Sequence, residues 1–250
     1  MAAENVRSYA PARGREDPIE ARGARNGGGS VDVVVPIFNE EASVPELLRR
    51  LRAACPEARL IFVDNGSTDR TCELLAAQPH VCLVRHESNL GYGQSLVDGV
   101  LAGRGEKVVM IDADLEYLPE DVPAIVAALD REGAVYGSRF LGPDEGRMGW
   151  QRHTGNRVVT GLFNLFFGQR LTDIYTGIRG FRREILDPGS YRRPGFDFIL
   201  ELSAVTVRRG TAIAEVPAGY HPRRRGVSEM NHLREFVKFL YLVVYHRLTR

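Results

Sequence analysis

The sequence predicts an α/β protein with a mostly parallel central sheet flanked by helices, on three observations. Its 250 residues are 44% hydrophobic and 26% charged, the balance of an ordinary globular chain long enough to bury a core without staples. From Val31 onward, short apolar runs alternate with helical patches, as strands joined by crossover helices do. Each apolar run is followed by a cluster of Asp, Asn and Gly, at the strand ends where open α/β sheets bind ligands.

The elements follow in order. Val31 to Val35 reads as a buried strand, and Ser43-Val44-Pro45-Glu46 then supplies an N-cap, a proline in the first turn and Glu at N3, so a helix is expected to about Ala54. Arg59 to Val63, Val81 to Arg85 and Lys107 to Ile111 are the next strands, with Ala134 to Tyr136 a fifth. Helices are expected near Thr71–Ala77, Gln94–Ala102 and Glu120–Leu129 between them. After Phe140 the rhythm breaks into a Gly-rich charged loop, followed by an apolar-faced segment from Arg152 to Phe167, a helix from Phe196 to Arg209 and a strand from Thr211 to Val216. Leu233, Phe236, Val237, Leu240 and Val244 recur at helical spacing. Residues 1–30 carry scattered charges, prolines and Gly27-Gly28-Gly29-Ser30, and read as a disordered tail. The division expected is therefore tail 1–30, catalytic domain 31–228 and basic amphipathic helix 229–250.

Cys55, Cys72 and Cys82 are odd in number and make no CxxC, which argues against a disulfide framework or a zinc site and suits a reducing cytoplasm. No run reaches the roughly 18 apolar residues of a spanning helix. The near-zero net charge hides an asymmetry: residues 207–250 carry nine basic against three acidic groups, and residues 31–206 nineteen against twenty-five. The basic end wants an anionic partner, and a phosphate-bearing substrate or an anionic membrane surface, met peripherally on the cytoplasmic face, would serve. An ordinary core-packing helix accounts for the apolar stripe equally well. Nucleic acid is set aside, because no aromatic platform or known module accompanies the charge.

The strand ends carry the chemistry. They read Pro36-Ile37-Phe38-Asn39-Glu40, Asp64-Asn65-Gly66-Ser67-Thr68-Asp69, Asn89-Leu90-Gly91-Tyr92-Gly93 and Asp112-Ala113-Asp114. Asp112 and Asp114, at i and i+2 where a pleat breaks down, can both address one divalent cation while a nucleotide diphosphate supplies further oxygens. Oxygen ligands favour Mg²⁺ or Mn²⁺, although alone such a pair serves equally as turn chemistry or a helix cap. No GxxxxGK[ST] is present, and Gly91-Tyr92-Gly93 lacks the third glycine of a dinucleotide fingerprint.

Together these motifs resemble family 2 glycosyltransferases of the GT-A nucleotide-sugar-binding fold, near the branch of dolichyl-phosphate mannose synthases and polyprenyl-phosphate glycosyltransferases. The resemblance runs through Gly137-Ser138-Arg139-Phe140, Thr172-Asp173, Thr176-Gly177, Phe196-Asp197-Phe198 with Glu201-Leu202, Glu215-Val216-Pro217 and Arg223-x-x-Gly226-x-Ser228. It implies a Rossmann-like sheet and a metal-dependent, inverting transferase of hexosyl or N-acetylhexosaminyl groups from a UDP- or GDP-sugar. Pro36, Phe38, Glu40, Asp64, Asp112 and Ala113 would hold the nucleotide, and Asp112 and Asp114 would hold Mg²⁺ or Mn²⁺. Arg139, Arg223 and Ser228 would meet donor or acceptor phosphate. The family often has Gln where this chain has Glu116, which could become a third metal carboxylate, and often Lys where it has Glu229. A polyprenyl phosphate acceptor is already ionised near neutrality and needs positioning rather than a base. A small hydroxylated acceptor needs a proton taken, and Asp173 is the candidate base or, equally, a loop-ordering residue.

Overall fold

A computed structural model describes residues 6–8, 30–142, 150–222 and 245. Its sheet contains β1 (Val6–Ser8), β2 (Val31–Ile37), β3 (Arg59–Asp64), β4 (Val81–Arg85), β5 (Lys107–Ile111), β6 (Ala134–Ser138), β7 (Ile178–Arg182) and β8 (Ile213–Pro217). The strand order is β1-β4-β3-β2-β5-β7-β6-β8, and only β7 runs against its neighbours. The helices are α1 (Val44–Ala54), α2 (Thr71–Ala76), α3 (Tyr92–Ala102), α4 (Val122–Ala128), α5 (Trp150–Phe167) and α6 (Phe198–Arg208).

The sheet is covered on both faces, so its central strands are buried almost throughout. On one face Val34, Ile61, Val63, Val108 and Met110 meet Leu96 and Val100 of α3, Phe163 of α5 and Leu200 of α6. On the other, Val33, Val35, Phe62, Val109 and Ile111 meet Leu47, Leu48 and Leu51 of α1 and Ile125 of α4. Each such fully buried aliphatic side chain contributes roughly 1.5–3 kcal/mol of transfer free energy.

Three features depart from the sequence reading. Val6–Ser8, inside the expected tail, adds parallel to the open edge of β4, where unpaired backbone groups accept another strand. Ser43 does stand at the N-cap of α1, but its hydroxyl turns back to the Glu40 carbonyl and carboxylate, and Glu46 pairs with Arg49 instead of closing a capping box. The strand β7 was not anticipated, because Ile-Arg-Gly-Phe-Arg alternates with no polar face exposed: Arg179 itself is buried. The reversal of β7 has a consequence for function, since it begins at the edge where all the parallel strands end. The segment expected as a C-terminal helix lies outside the described residues, apart from Tyr245.

Candidate active site

Along that one edge stand Asp64 at the end of β3, Asp112 and Asp114 after β5, Arg139 after β6, and the Thr172–Gly177 segment leading into β7. The loops after β2 and β3 are knitted together. Asn39 N–H donates to Ser67 Oγ at 2.9 Å and Thr68 N–H returns to Asn39 Oδ1 at 2.8 Å. Glu40 N–H donates to Thr71 Oγ1, Glu41 N–H to Asp69 Oδ2, and Arg70 N–H to Glu41 Oε2. Gly66 makes the turn at φ +81°, where a Cβ would lie 2.6 Å from the Ser88 carbonyl carbon.

Asp64 is fully buried, with Oδ1 accepting from Ser67 N–H at 3.0 Å. Its Oδ2 has only the weak Cys72 thiol beside it. Behind it, Asn65 Oδ1 accepts from Leu90 N–H and faces His86 Nδ1, and His86 Nε2 lies 3.0 Å from Asp98 Oδ2. This buried line of Asn65, His86 and Asp98 anchors the turn from beneath. The sequence reading quoted Asn65 within its motif but gave no role to His86 or Asp98, which sit in otherwise unremarkable strand and helix patterns.

Of the residues expected to hold a nucleoside, Phe38 is open at 42% exposure, while Pro36 is buried in β2. β2 pairs with β3 as far as Ile37 but with β5 only to Val34, so Pro36 lies inside the sheet at a place where the missing N–H costs no ladder bond on the β5 side. Ala113 is likewise packed in the core, leaving only its backbone to face a ligand. Glu40 is spent in part on Ser43.

Asp112 Oδ1 accepts from the Tyr92 hydroxyl at 2.7 Å. Gly177 leaves room for the same carboxylate, since a Cβ there would stand 2.3 Å from Asp112 Oδ2. Burial, then repulsion from Asp114, pushes Asp112 up to about 7. Asp114 Oδ1 accepts from Glu116 N–H at 3.0 Å, shaping the turn. The pair fits a divalent cation, because a hard cation relieves the strain of two crowded carboxylates. Glu116, the third carboxylate of the run, accepts from the Tyr220 hydroxyl through Oε2 at 3.3 Å. Among the described residues no three His, Cys, Asp or Glu side chains gather as a metal cage.

Arg139 and Asp173 are brought together, and each limits what the other can do. Arg139 donates from Nε to Asp173 Oδ2 at 2.7 Å and from Nη2 to Oδ1 at 2.8 Å, while Asn156 Nδ2 donates to Oδ1 at 2.6 Å. Asp173 is 0% exposed, and a carboxylate so placed requires a cation. Both oxygens of Asp173 are therefore engaged, an arrangement that favours the loop-ordering alternative over the base. Arg139 is also packed between aromatic rings, 5.6 Å from Tyr117 and 5.4 Å from Tyr220, and so serves the fold before it serves any phosphate. Glu215 of β8 completes the corner by accepting from Thr172 N–H at 2.7 Å and Asp173 N–H at 2.9 Å. Arg223 and Ser228 lie outside the described residues.

The comparisons with known proteins agree with this arrangement. Glucosyl-3-phosphoglycerate synthase from Mycobacterium tuberculosis in complex with UDP shares the fold at a TM-score of 0.69 and 24% identity, over 91% of this chain and 86% of that one. The same enzyme with phosphoglyceric acid gives 0.65 and 26%, over 88% and 79%. With Mn²⁺, UDP and glucosyl-3-phosphoglycerate it gives 0.65 and 25%, over 92% and 87%. The GT-A-like arrangement expected from the sequence is thus the one observed. The model of glycosyl transferase family 2 matches residues 32–189, which contain Asp64, Asp112, Asp114, Arg139 and Asp173, and the chain belongs to that family.

Proposed function

We propose that this protein transfers a sugar from a UDP-sugar to the hydroxyl of a small anionic acceptor, with Mn²⁺ or Mg²⁺ held by Asp112 and Asp114. The observation that carries this reading is the convergence of Asp64, Asp112 and Asp114 on one sheet edge, with Asp112 raised by burial and by its neighbour. The cation, when bound, neutralises charge on the diphosphate leaving group. The chain's own residues do the rest. Asp64 holds a buried acceptor oxygen that an N–H of the base can satisfy, offsetting the cost of leaving it without a strong donor. Phe38 offers an open ring for the base.

Asp173, engaged by Arg139 and Asn156, fixes the loop before β7, and the proton of the acceptor hydroxyl passes to the acceptor's own phosphate, a base with a second pKa of about 6, as the bond from the sugar to UDP breaks. A single in-line displacement inverts the anomeric carbon, a point read from the anomeric coupling constant of the product. Solved structures of the similar mycobacterial synthase contain phosphoglyceric acid and Mn²⁺, which supports a small phosphorylated acceptor over the polyprenyl phosphate implied by the sequence resemblance. Both acceptors carry phosphate, so one assay separates them. Purified protein is given Mn²⁺ or Mg²⁺, labelled UDP- and GDP-sugars, and either 3-phosphoglycerate or a short polyprenyl phosphate. Label in a water-soluble anionic product is the expected result. Label extracted into organic solvent overturns the small acceptor, and no transfer from any donor overturns the reading as a whole.

A further inference from the structure

Arg179 lies in the middle of β7, set by register between Met110 of β5 and Tyr136 of β6. Its side chain is 2% exposed and its guanidinium carbon is 5.5 Å from the centre of the Tyr136 ring. Neither Nε nor Nη1 has a hydrogen-bond partner. A buried cation with two idle donors costs folding free energy, and no ion pair among the described residues offsets it. The fold alone gives no reason for an arginine at this position.

Tyr92 supplies the reason. Its hydroxyl donates to Asp112 Oδ1 at 2.7 Å, and the buried Arg179 guanidinium stands near enough to act electrostatically on both the hydroxyl and the carboxylate. The Tyr92–Asp112 hydrogen bond therefore lies in the field of a buried cation. The Tyr92 ring is itself held, stacked on Phe196 with centroids 4.9 Å apart and planes at 17°. The loop carrying Phe196 is fixed by Glu201, which accepts from Arg192 and Arg193 N–H, and by Pro194 O, which accepts from Gly93 N–H. Asp112 is thereby held on one side by the Tyr92 hydroxyl and bounded on the other by the bare Cα of Gly177.

We propose that Arg179 is a positioning residue of the donor site, acting through the Tyr92 hydroxyl to fix the Asp112 carboxylate in the orientation that receives the metal–nucleotide complex. This rests on Asp112 belonging to the donor site, as proposed above. A hydrogen bond polarised by a buried cation is stronger than a neutral one, and the idle donors of Arg179 are tolerated because the charge works at a distance of one side chain.

The test combines a Mn²⁺ titration in the presence of UDP, followed by electron paramagnetic resonance, with thermal unfolding of the same samples. The proteins are the 250-residue chain, its Arg179→Met, Arg179→Lys and Tyr92→Phe variants, and the Arg179→Met, Tyr92→Phe double variant. Arg179→Met is expected to keep or raise the unfolding midpoint while weakening Mn²⁺–UDP binding about tenfold, because the Tyr92–Asp112 hydrogen bond loses its polarising charge. Arg179→Lys recovers part of that affinity. Tyr92→Phe keeps the ring stack and loses a similar factor, and the Arg179→Met, Tyr92→Phe double variant is no weaker than the worse single variant. A lower midpoint with wild-type affinity in Arg179→Met makes Arg179 a packing residue and overturns the inference. If that variant fails to fold, wild-type affinity in Tyr92→Phe overturns it alone. Failure of the wild-type protein to bind Mn²⁺–UDP is a separate outcome, which defeats the donor-site reading and this inference with it.

Discussion

The loops after β2 and β3 are tied by backbone N–H groups reaching short side chains across exposed ground, whereas the corner around β6 and β7 is tied by charge taken out of water. Asn39, Ser67, Thr68, Glu41 and Asp69 make the first kind of tie. Arg139, Asp173, Asn156 and Glu215 make the second. The difference divides the labour along one sheet edge. The first region can open to admit a nucleoside by exchanging bonds with water, since hydrogen bonds of that kind contribute only about 0.5–1.5 kcal/mol each. The second cannot be opened without exposing an unpaired buried charge, and so forms a fixed wall of the edge.

The comparison is broken most severely at Asp173. Replacing it by alanine leaves Arg139 without its counter-charge, and urea unfolding is expected to show a loss of about 3–5 kcal/mol. A loss below about 1 kcal/mol would show that the corner is no different from an exposed pair. Next in size is Asp114→Asn on the open side, where turnover is expected to fall at least about a hundredfold with the unfolding midpoint unchanged. An equal fall in stability would place Asp114 in the wall instead.

Acidity sharpens the contrast further. Asp112 is raised from 3.8 to about 7 in the fold, so its contribution to the stability of the metal-free protein is fully present below 3.8 and is lost as pH rises through about 7. Metal binding at an ionised Asp112 has the opposite slope: calorimetry should show Mn²⁺–UDP binding tightening between about pH 5 and 7, by up to about tenfold per pH unit, with proton release. A flat profile would mean that Asp112 is not a ligand. Smallest in its effect on the fold is Phe38→Ala. At 42% exposure it is expected to change stability by no more than about 0.5 kcal/mol, while UDP affinity falls about tenfold through lost stacking.

The same division decided what could be read in the sequence. The parallel strands and the helices between them follow from apolar periodicity, and the open side of the site is legible because its residues lie in short contiguous motifs at strand ends. The wall was not legible in that way. Asp173 and Arg139 were each recognisable, but their mutual engagement depends on β7 running backwards between β5 and β6, and Ile178–Arg182 hides its strand character behind a buried arginine. Tyr92 stood in a quoted motif without a role, since its hydroxyl meets Asp112 only through the packing of α3 against the sheet. Local spacing carries information about groups held by one loop, and very little about groups held by the crossing of two elements.

Asp112 and Asp114 are proposed to receive the metal–nucleotide complex at this sheet edge. The most direct test is anomalous scattering from crystals grown with Mn²⁺ and UDP. One manganese peak at the Asp112–Asp114 pair, with UDP beside it and its uracil near Phe38 and Asp64, is the expected result. Manganese or UDP bound elsewhere, with both carboxylates free of it, would contradict it.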